Sequence, residues 1–149
     1  MEWEIYHLVG KASFIYEFCS EGHRGRIKKI IQFQRADHLG KNVFNLAFGD
    51  LNEATGRIED GAVSNNGDQL KILHTVAEAV IKFLKEWPEA IVLIQASTSS
   101  RIRLYQMRIA GFWSQISQQY EIQGELRRKW FPFQKGVNYE RFLIYKKNK

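Results

Sequence analysis

The hydrophobic positions change period along the chain, from two residues to about three and a half and back. From Ser13 to Ser20, Phe14, Tyr16 and Phe18 alternate with Ile15, Glu17 and Cys19, the period of a strand with one aromatic face. Arg26 to Arg35 alternates again through Ile27, Ile31 and Phe33, and Glu21-Gly22-His23-Arg24-Gly25 between the two runs has turn composition. This pattern predicts a hairpin, with a bulge expected at Lys28-Lys29. Trp3 to Val9 predicts a short strand against the core, Val43 to Phe48 a third strand and Arg57 to Val63 a fourth. The chain up to Val63 therefore reads as an antiparallel meander.

Beyond Ser64-Asn65-Asn66-Gly67-Asp68 the period changes. Leu70, Leu73, Val76, Ala77, Val80, Phe83, Leu84 and Trp87 recur at three- and four-residue steps, one stripe of a helix. Asn66 or Asp68 is the expected N-cap, and Pro88 stops the far end. Ala90 to Ala96 is apolar on both faces apart from Gln95, as a central strand would be. Ser97 or Thr98 is then positioned to cap a second helix, with Ile102, Tyr105, Ile109, Phe112, Trp113 and Ile116 on its buried stripe. Gly111 inside this run predicts a break or a close packing contact. Tyr120 to Leu126 and Tyr139 to Tyr145 read as two further strands, and Arg127 to Phe133 as a loop between them. The expected fold is α/β or α+β: a mostly antiparallel twisted sheet of six or seven strands with two main helices.

Length and composition add bounds to this picture. A chain of 149 residues, 44% hydrophobic and 26% charged, fits one globular domain burying about two-thirds of its unfolded surface, with a frayed tail expected at residues 146–149. No apolar run approaches the roughly 20 residues that span a bilayer, so no membrane association is expected. Cys19 is the single cysteine, and it shares no ligand spacing with His7, His23, His38 or His74. A reducing cytoplasm and no bound metal are the matching expectations. The net charge of +6 is unevenly spread, with acids gathered at Asp50, Glu53, Glu59 and Asp60 and cations dominating the second half.

Candidate chemistry falls in three places. Backbone amides around Ser64, Asn65, Asn66 and Gly67 open a helix, where a phosphate or carboxylate is readily held; the same residues also suit a plain cap and turn. Thr98, Arg101, Arg103 and Arg108 belong to the second helix. Arg101 and Arg103 in its first turns oppose the positive end of the helix dipole, a placement answered by a bound anion or by an acid such as Asp50, Asp60 or Asp68. Arg101, Tyr105 and Arg108 are spaced to share a face, and Tyr105 is either a proton donor or a core tyrosine. Arg127, Arg128, Lys129 and Trp130 open a run interleaving cations with aromatics, which suits single-stranded nucleic acid as well as a loop packed on the sheet.

The motifs Phe44-Asn45-Leu46-Ala47-Phe48-Gly49-Asp50, Ser64-Asn65-Asn66-Gly67-Asp68 and Ser97-Thr98-x-x-Arg101-x-Arg103-Leu104-Tyr105-Gln106-x-x-Ile109 together resemble an uncharacterised family of small bacterial proteins, a domain of unknown function of about this length. The order of elements is also similar to that of the GCN5-related N-acetyltransferases. That resemblance implies a coenzyme A thioester at the Ser64–Lys71 turn, with Tyr105 protonating the leaving thiolate, and it requires the strand before the first helix to diverge from Ala90–Ala96. The turn departs from that family's [QR]-x-x-G-x-[GA] pattern, having Gly67 alone and Asp68 beside the expected phosphates. Three functions follow as expectations: a binding or regulatory module for an anionic small molecule or acidic partner, an acyl-coenzyme A-dependent N-acyltransferase, and a nucleic-acid-binding accessory protein of a mobile or defence locus.

Overall fold

The computed structural model describes residues 4–59, 66–96 and 99–147, with the backbone alone described at Ser99, Ser100, Arg101 and Phe112. The element order is β1 (Val9–Ala12), β2 (Ile15–Gly22), β3 (Gly25–Arg35), a 3-10 turn (Asp37–Leu39), β4 (Val43–Asn52), β5 (Arg57–Glu59), α1 (Gln69–Glu86), β6 (Ile91–Ile94), α2 (Ser99–Ile116), β7 (Tyr120–Leu126), β8 (Lys129–Pro132) and β9 (Arg141–Lys146). It is a mixed α+β architecture with a mostly antiparallel sheet. Nine strands form among the described residues, against the six or seven expected. Residues 4–8 form no strand where Trp3 to Val9 predicts one, and the difference in number lies in short elements: β1 is exposed at all four positions and β8 carries Lys129 and Pro132. Such edge segments have little apolar alternation for a periodicity reading to detect.

Two compact units divide the chain, Met1–Gln34 with Leu46–Phe83 and Arg35–Asn45 with Leu84–Lys149. In the first, the hydrogen-bonded strand order is β1-β2-β3-β4, with β5 on β4. β2 and β3 pair without a slip from Ile15↔Gln32 to Gly22↔Gly25, so the bulge expected at Lys28-Lys29 is absent. Lys29 is instead an inward position, 5% exposed, and its ammonium pairs with Asp50. The irregularity occurs in β1, between Gly10 and Ala12.

Tyr16, Phe18, Ile31 and Phe33 are buried on the inner face as the alternation predicts, and Phe33 stacks on Phe83 of α1 with ring centroids 4.0 Å apart. The α1 stripe is buried at Leu73, Val76, Val80, Phe83 and Leu84, whereas Leu70 and Trp87 at its two ends are 50% and 44% exposed. Burying such side chains is worth about 1.5–3 kcal/mol each, which makes this stripe the main source of the helix's stability.

In the second unit the order is β4-β6-β9-β7-β8. Val43–Asn45 of β4 runs parallel to Ile91–Leu93 of β6, while the β6–β9, β9–β7 and β7–β8 pairs are antiparallel. Val92, Ile122, Phe142 and Ile144 are buried, and α2 buries Ile102, Ile109 and Ile116 at seven-residue steps. Trp113 of α2 meets Phe133 at 5.1 Å between ring centroids. Lys146 closes β9, and the Lys147 amide donates to the Gln119 carbonyl at 2.9 Å; Asn148 and Lys149 lie outside the described residues.

Gly111 neither breaks α2 nor packs closely: it is helical, exposed, and a Cβ there would meet nothing within 4 Å. Gly111→Ala is therefore expected to stabilise the protein by about 1 kcal/mol. Gly124 in β7 is the opposite case, since a Cβ would lie 2.2 Å from ring carbons of Tyr139. Gly124→Ala is expected to destabilise by about 1–3 kcal/mol through overpacking. Thermal melts of the two variants test both signs; a lower midpoint for Gly111→Ala would contradict a regular helix at that point.

Candidate functional site

β7 and β8 are joined by a two-residue connection, because Leu126 pairs with Lys129. Arg127 and Arg128 fill it with φ of 51° and 66°, the left-handed values that a type I′ hairpin turn demands at both positions. Asn and Gly are the residues that adopt these values readily; for other side chains the left-handed region costs roughly 1–2 kcal/mol each. Two arginines therefore occupy the turn against local preference. Arg127, Arg128 and Lys129 are all exposed. Between Glu125 and Glu140 the chain carries four cations and no acid.

The hairpin is anchored on both faces. On one, Arg141 forks onto Glu125, with Nε–Oε1 and Nη2–Oε2 both 2.8 Å, and the guanidinium lies 5.6 Å from the Trp130 ring centroid. Trp130 is packed there against the buried cluster of Ala36, Val43 and Leu93. On the other face the Tyr139 ring fills the space above Gly124. Its hydroxyl accepts from the Gln134 amide at 2.9 Å and donates to the Pro132 carbonyl at 3.3 Å. Gln106 of α2, 7% exposed, donates to the Val137 carbonyl and accepts from the Tyr139 amide at 2.9 Å. The segment from β8 to β9 is thus fixed from inside, which leaves the hairpin tip on a rigid base.

Four of the α2 candidates are described to different extents. Arg103 is exposed, while Tyr105 and Arg108 are half-buried. Arg101 lies in the first turn, its side chain outside the described residues, and Thr98 lies outside them altogether. Of the acids expected to answer these arginines, Asp50 is paired with Lys29, Asp68 accepts hydroxyl hydrogen bonds, and Asp60 is outside the described residues.

Ser64 and Asn65 also lie outside the described residues, whereas Asn66 and Gly67 belong to a polar cluster in the first unit. Asn66 is 2% exposed, and its amide donates to Ser20 Oγ at 3.1 Å and to the Gly25 carbonyl at 2.9 Å. Its Oδ1 accepts from the Arg24 amide at 2.6 Å. Asp68 stands just before α1, yet its Oδ2 accepts from the Tyr6 hydroxyl at 2.5 Å and from the Ser20 hydroxyl, and its buried Oδ1 has no partner among the described residues. Burial, then the bond to Asp68, raises the Tyr6 phenol above its ordinary pKa. The Asn66 side chain thereby fastens the β2–β3 turn, and Gly67, at φ 78°, passes close to His23. The Asn66 side chain is thus engaged within the chain.

An open pocket of about 630 Å³ in the same unit is lined by Cys19, Arg26, Ile27, Lys28, Leu51 and Glu53. Its cations are already engaged, Lys28 with Glu53 at 3.1 Å and Glu17 at 3.5 Å, and Arg26 with Glu21 at 3.5 Å. Charge is also divided along the chain: the residues of the first unit include eight Lys and Arg against ten Asp and Glu, those of the second fourteen against six. Among the described residues no three His, Cys, Asp or Glu side chains are grouped to hold a metal ion, and no helix is long and apolar enough to cross a membrane.

These features define a mixed α+β protein in which a cationic hairpin is mounted on a rigidly braced sheet. Residues 2–147 match the model of the family of unknown function DUF6934, and the chain belongs to that family, as the resemblance over nearly its whole length implied. No curated protein and no solved structure matches it.

The Glu125–Arg141 pair makes stability sensitive to acid. The hydrogen bonds from Arg141, more than its charge, hold the Glu125 carboxyl below its ordinary pKa against the opposing effect of burial. A depressed folded-state pKa contributes stability above the unfolded carboxylate range and loses it as pH falls through the folded value. Glu125→Gln is expected to cost about 1–3 kcal/mol at neutral pH and to flatten the decline in melting temperature on acidification. An unchanged acid limb would show that the pair does not control it.

Proposed function

We propose that this protein is a binding module for an anionic partner, engaged through the β7–β8 hairpin. The observation that carries this reading is the turn itself: Arg127 and Arg128 sit where φ is positive, exposed, next to Lys129, with no acid facing outward from the segment. Local stability favours other residues there, so the two guanidinium groups are accounted for by what they meet outside the chain. Glu125, the nearest acid, is 8% exposed and already neutralised by Arg141. Arg103, exposed on α2 in the same unit, adds to the positive field. Such a field steers an anion toward the surface and weakens as salt rises.

The test uses inorganic polyphosphate as the probe and the double substitution Arg127→Asn/Arg128→Gly. This variant installs the preferred residues of a type I′ turn while removing two charges. Its melting temperature is expected to rise, while its affinity for polyphosphate falls about tenfold or more at low salt. Equal affinity in a variant that remains folded would end the reading.

One observation favours a second reading, an acyl-coenzyme A-dependent N-acyltransferase. β6 pairs in parallel with β4 over three residues of each strand, after the crossover through α1, and leads into α2, which carries Tyr105 as the proton donor of that chemistry. β4 itself continues to Asn52, so the parallel pairing covers only the beginning of that strand. The two readings separate in one experiment: acetyl-coenzyme A at saturation is expected to raise the melting temperature by mass action for a transferase. A shift no larger than that given by ATP would remove it.

A further inference from the structure

We infer that the anionic partner is single-stranded nucleic acid, with Phe131 as the ring on which a base stacks; this rests on the anionic-partner reading above. Three aromatics follow the cations in sequence, and the structure gives them different positions. Trp130 points to the face of Arg141 and packs on the Ala36, Val43 and Leu93 cluster. Phe133 is 4% exposed, in contact with Trp113, Tyr139 and Phe142. Phe131 is 42% exposed.

Phe131 stands two residues from Lys129 on β8, so the two side chains project from the same face of the strand, about 7 Å apart along it. That separation leaves room for a phosphate at the ammonium and its attached base at the ring. Arg127 and Arg128 extend the row of cations around the turn. β8 is the last strand in its sheet order, so the row lies on an edge that an extended strand can follow.

The chemistry of the row discriminates among anions. A phosphate polymer without bases, or an acidic peptide, would use the three cations and gain little from an aromatic face. A single-stranded nucleic acid uses both, since every base has a π-face and its backbone carries one charge per nucleotide. Duplex DNA keeps its bases stacked on one another and offers the ring no partner. The segment has no base-specific motif, so binding tolerant of sequence is expected.

The experiment is a fluorescence anisotropy titration of the full chain with labelled oligothymidylate, with inorganic polyphosphate and poly-glutamate as competitors. The wild-type chain is expected to bind the oligonucleotide more tightly than either competitor. Phe131→Ala is expected to weaken oligonucleotide binding about tenfold, the loss of one base–aromatic stack, while polyphosphate affinity stays unchanged and the chain remains folded. Phe131→Trp restores binding. If polyphosphate binds and Phe131→Ala leaves oligonucleotide affinity unaltered, the nucleic-acid inference is overturned and the anionic-partner reading stands. Tighter binding of poly-glutamate than of oligonucleotide overturns it in favour of an acidic protein partner. If no polyanion binds at low salt, both fail together.

Discussion

Each unit is closed by one buried primary amide that stands in for missing backbone pairing. A carboxamide carries donors and an acceptor on one planar group, so it can satisfy two stretches of irregular backbone at once. Buried polar groups without partners are costly, and irregular chain segments bring many of them inside. Asn66 settles this for the β2–β3 turn by bonding Arg24, Gly25 and Ser20, and Gln106 settles it for the chain between β8 and β9 by bonding Val137 and Tyr139. Around these amides each unit packs its aromatic side chains, with one further buried ion pair in each, Lys29 with Asp50 and Arg141 with Glu125.

That division of labour explains why the hairpin is free to carry an unfavourable turn. The Glu125–Arg141 fork and the Tyr139 ring over Gly124 grip β7 and β8 from opposite faces. With the register set by these contacts, the turn residues need not set it themselves, and two arginines can occupy left-handed positions. Packing inside the unit thus allows charge at its surface. The Asn66 cluster, by contrast, turns its polar groups on one another around Asp68 and Ser20.

Much of the architecture was legible in the sequence wherever one face of an element is buried. The alternation at Tyr16 and Phe18, the α1 stripe from Leu73 to Leu84, and the strand at Tyr120–Leu126 all report burial through a local period. At β8 the local pattern predicts a loop, because Pro132 and the cations Arg127, Arg128 and Lys129 obscure its alternation. Asn66 and Gln106 carry no local signal, because their partners are tens of residues away and a polar residue in a loop or helix ordinarily faces water. Composition marks the run from Arg127 to Phe133 but does not distinguish Trp130, packed on the Ala36, Val43 and Leu93 cluster, from the exposed Phe131. Only the pleat, fixed by the pairing of Leu126 with Lys129, separates the two. Ser64, Asn65 and Thr98 lie where the structure describes no residue.

The place of β9 in the sheet governs how the second unit comes into being on the ribosome. β9 is the last strand in the chain order, yet it lies between β6 and β7. Until Lys146 has left the exit tunnel, β6 and β7 have no strand to join them, and each presents an open edge of unpaired amides and carbonyls. The meander of the first unit can pair as it emerges, since β2 and β3 are neighbours in sequence. Synthesis therefore passes through a stage with one half paired and the other waiting for its central strand. Premature termination anywhere before β9 leaves a chain with exposed edges, the kind of species that cellular quality control removes.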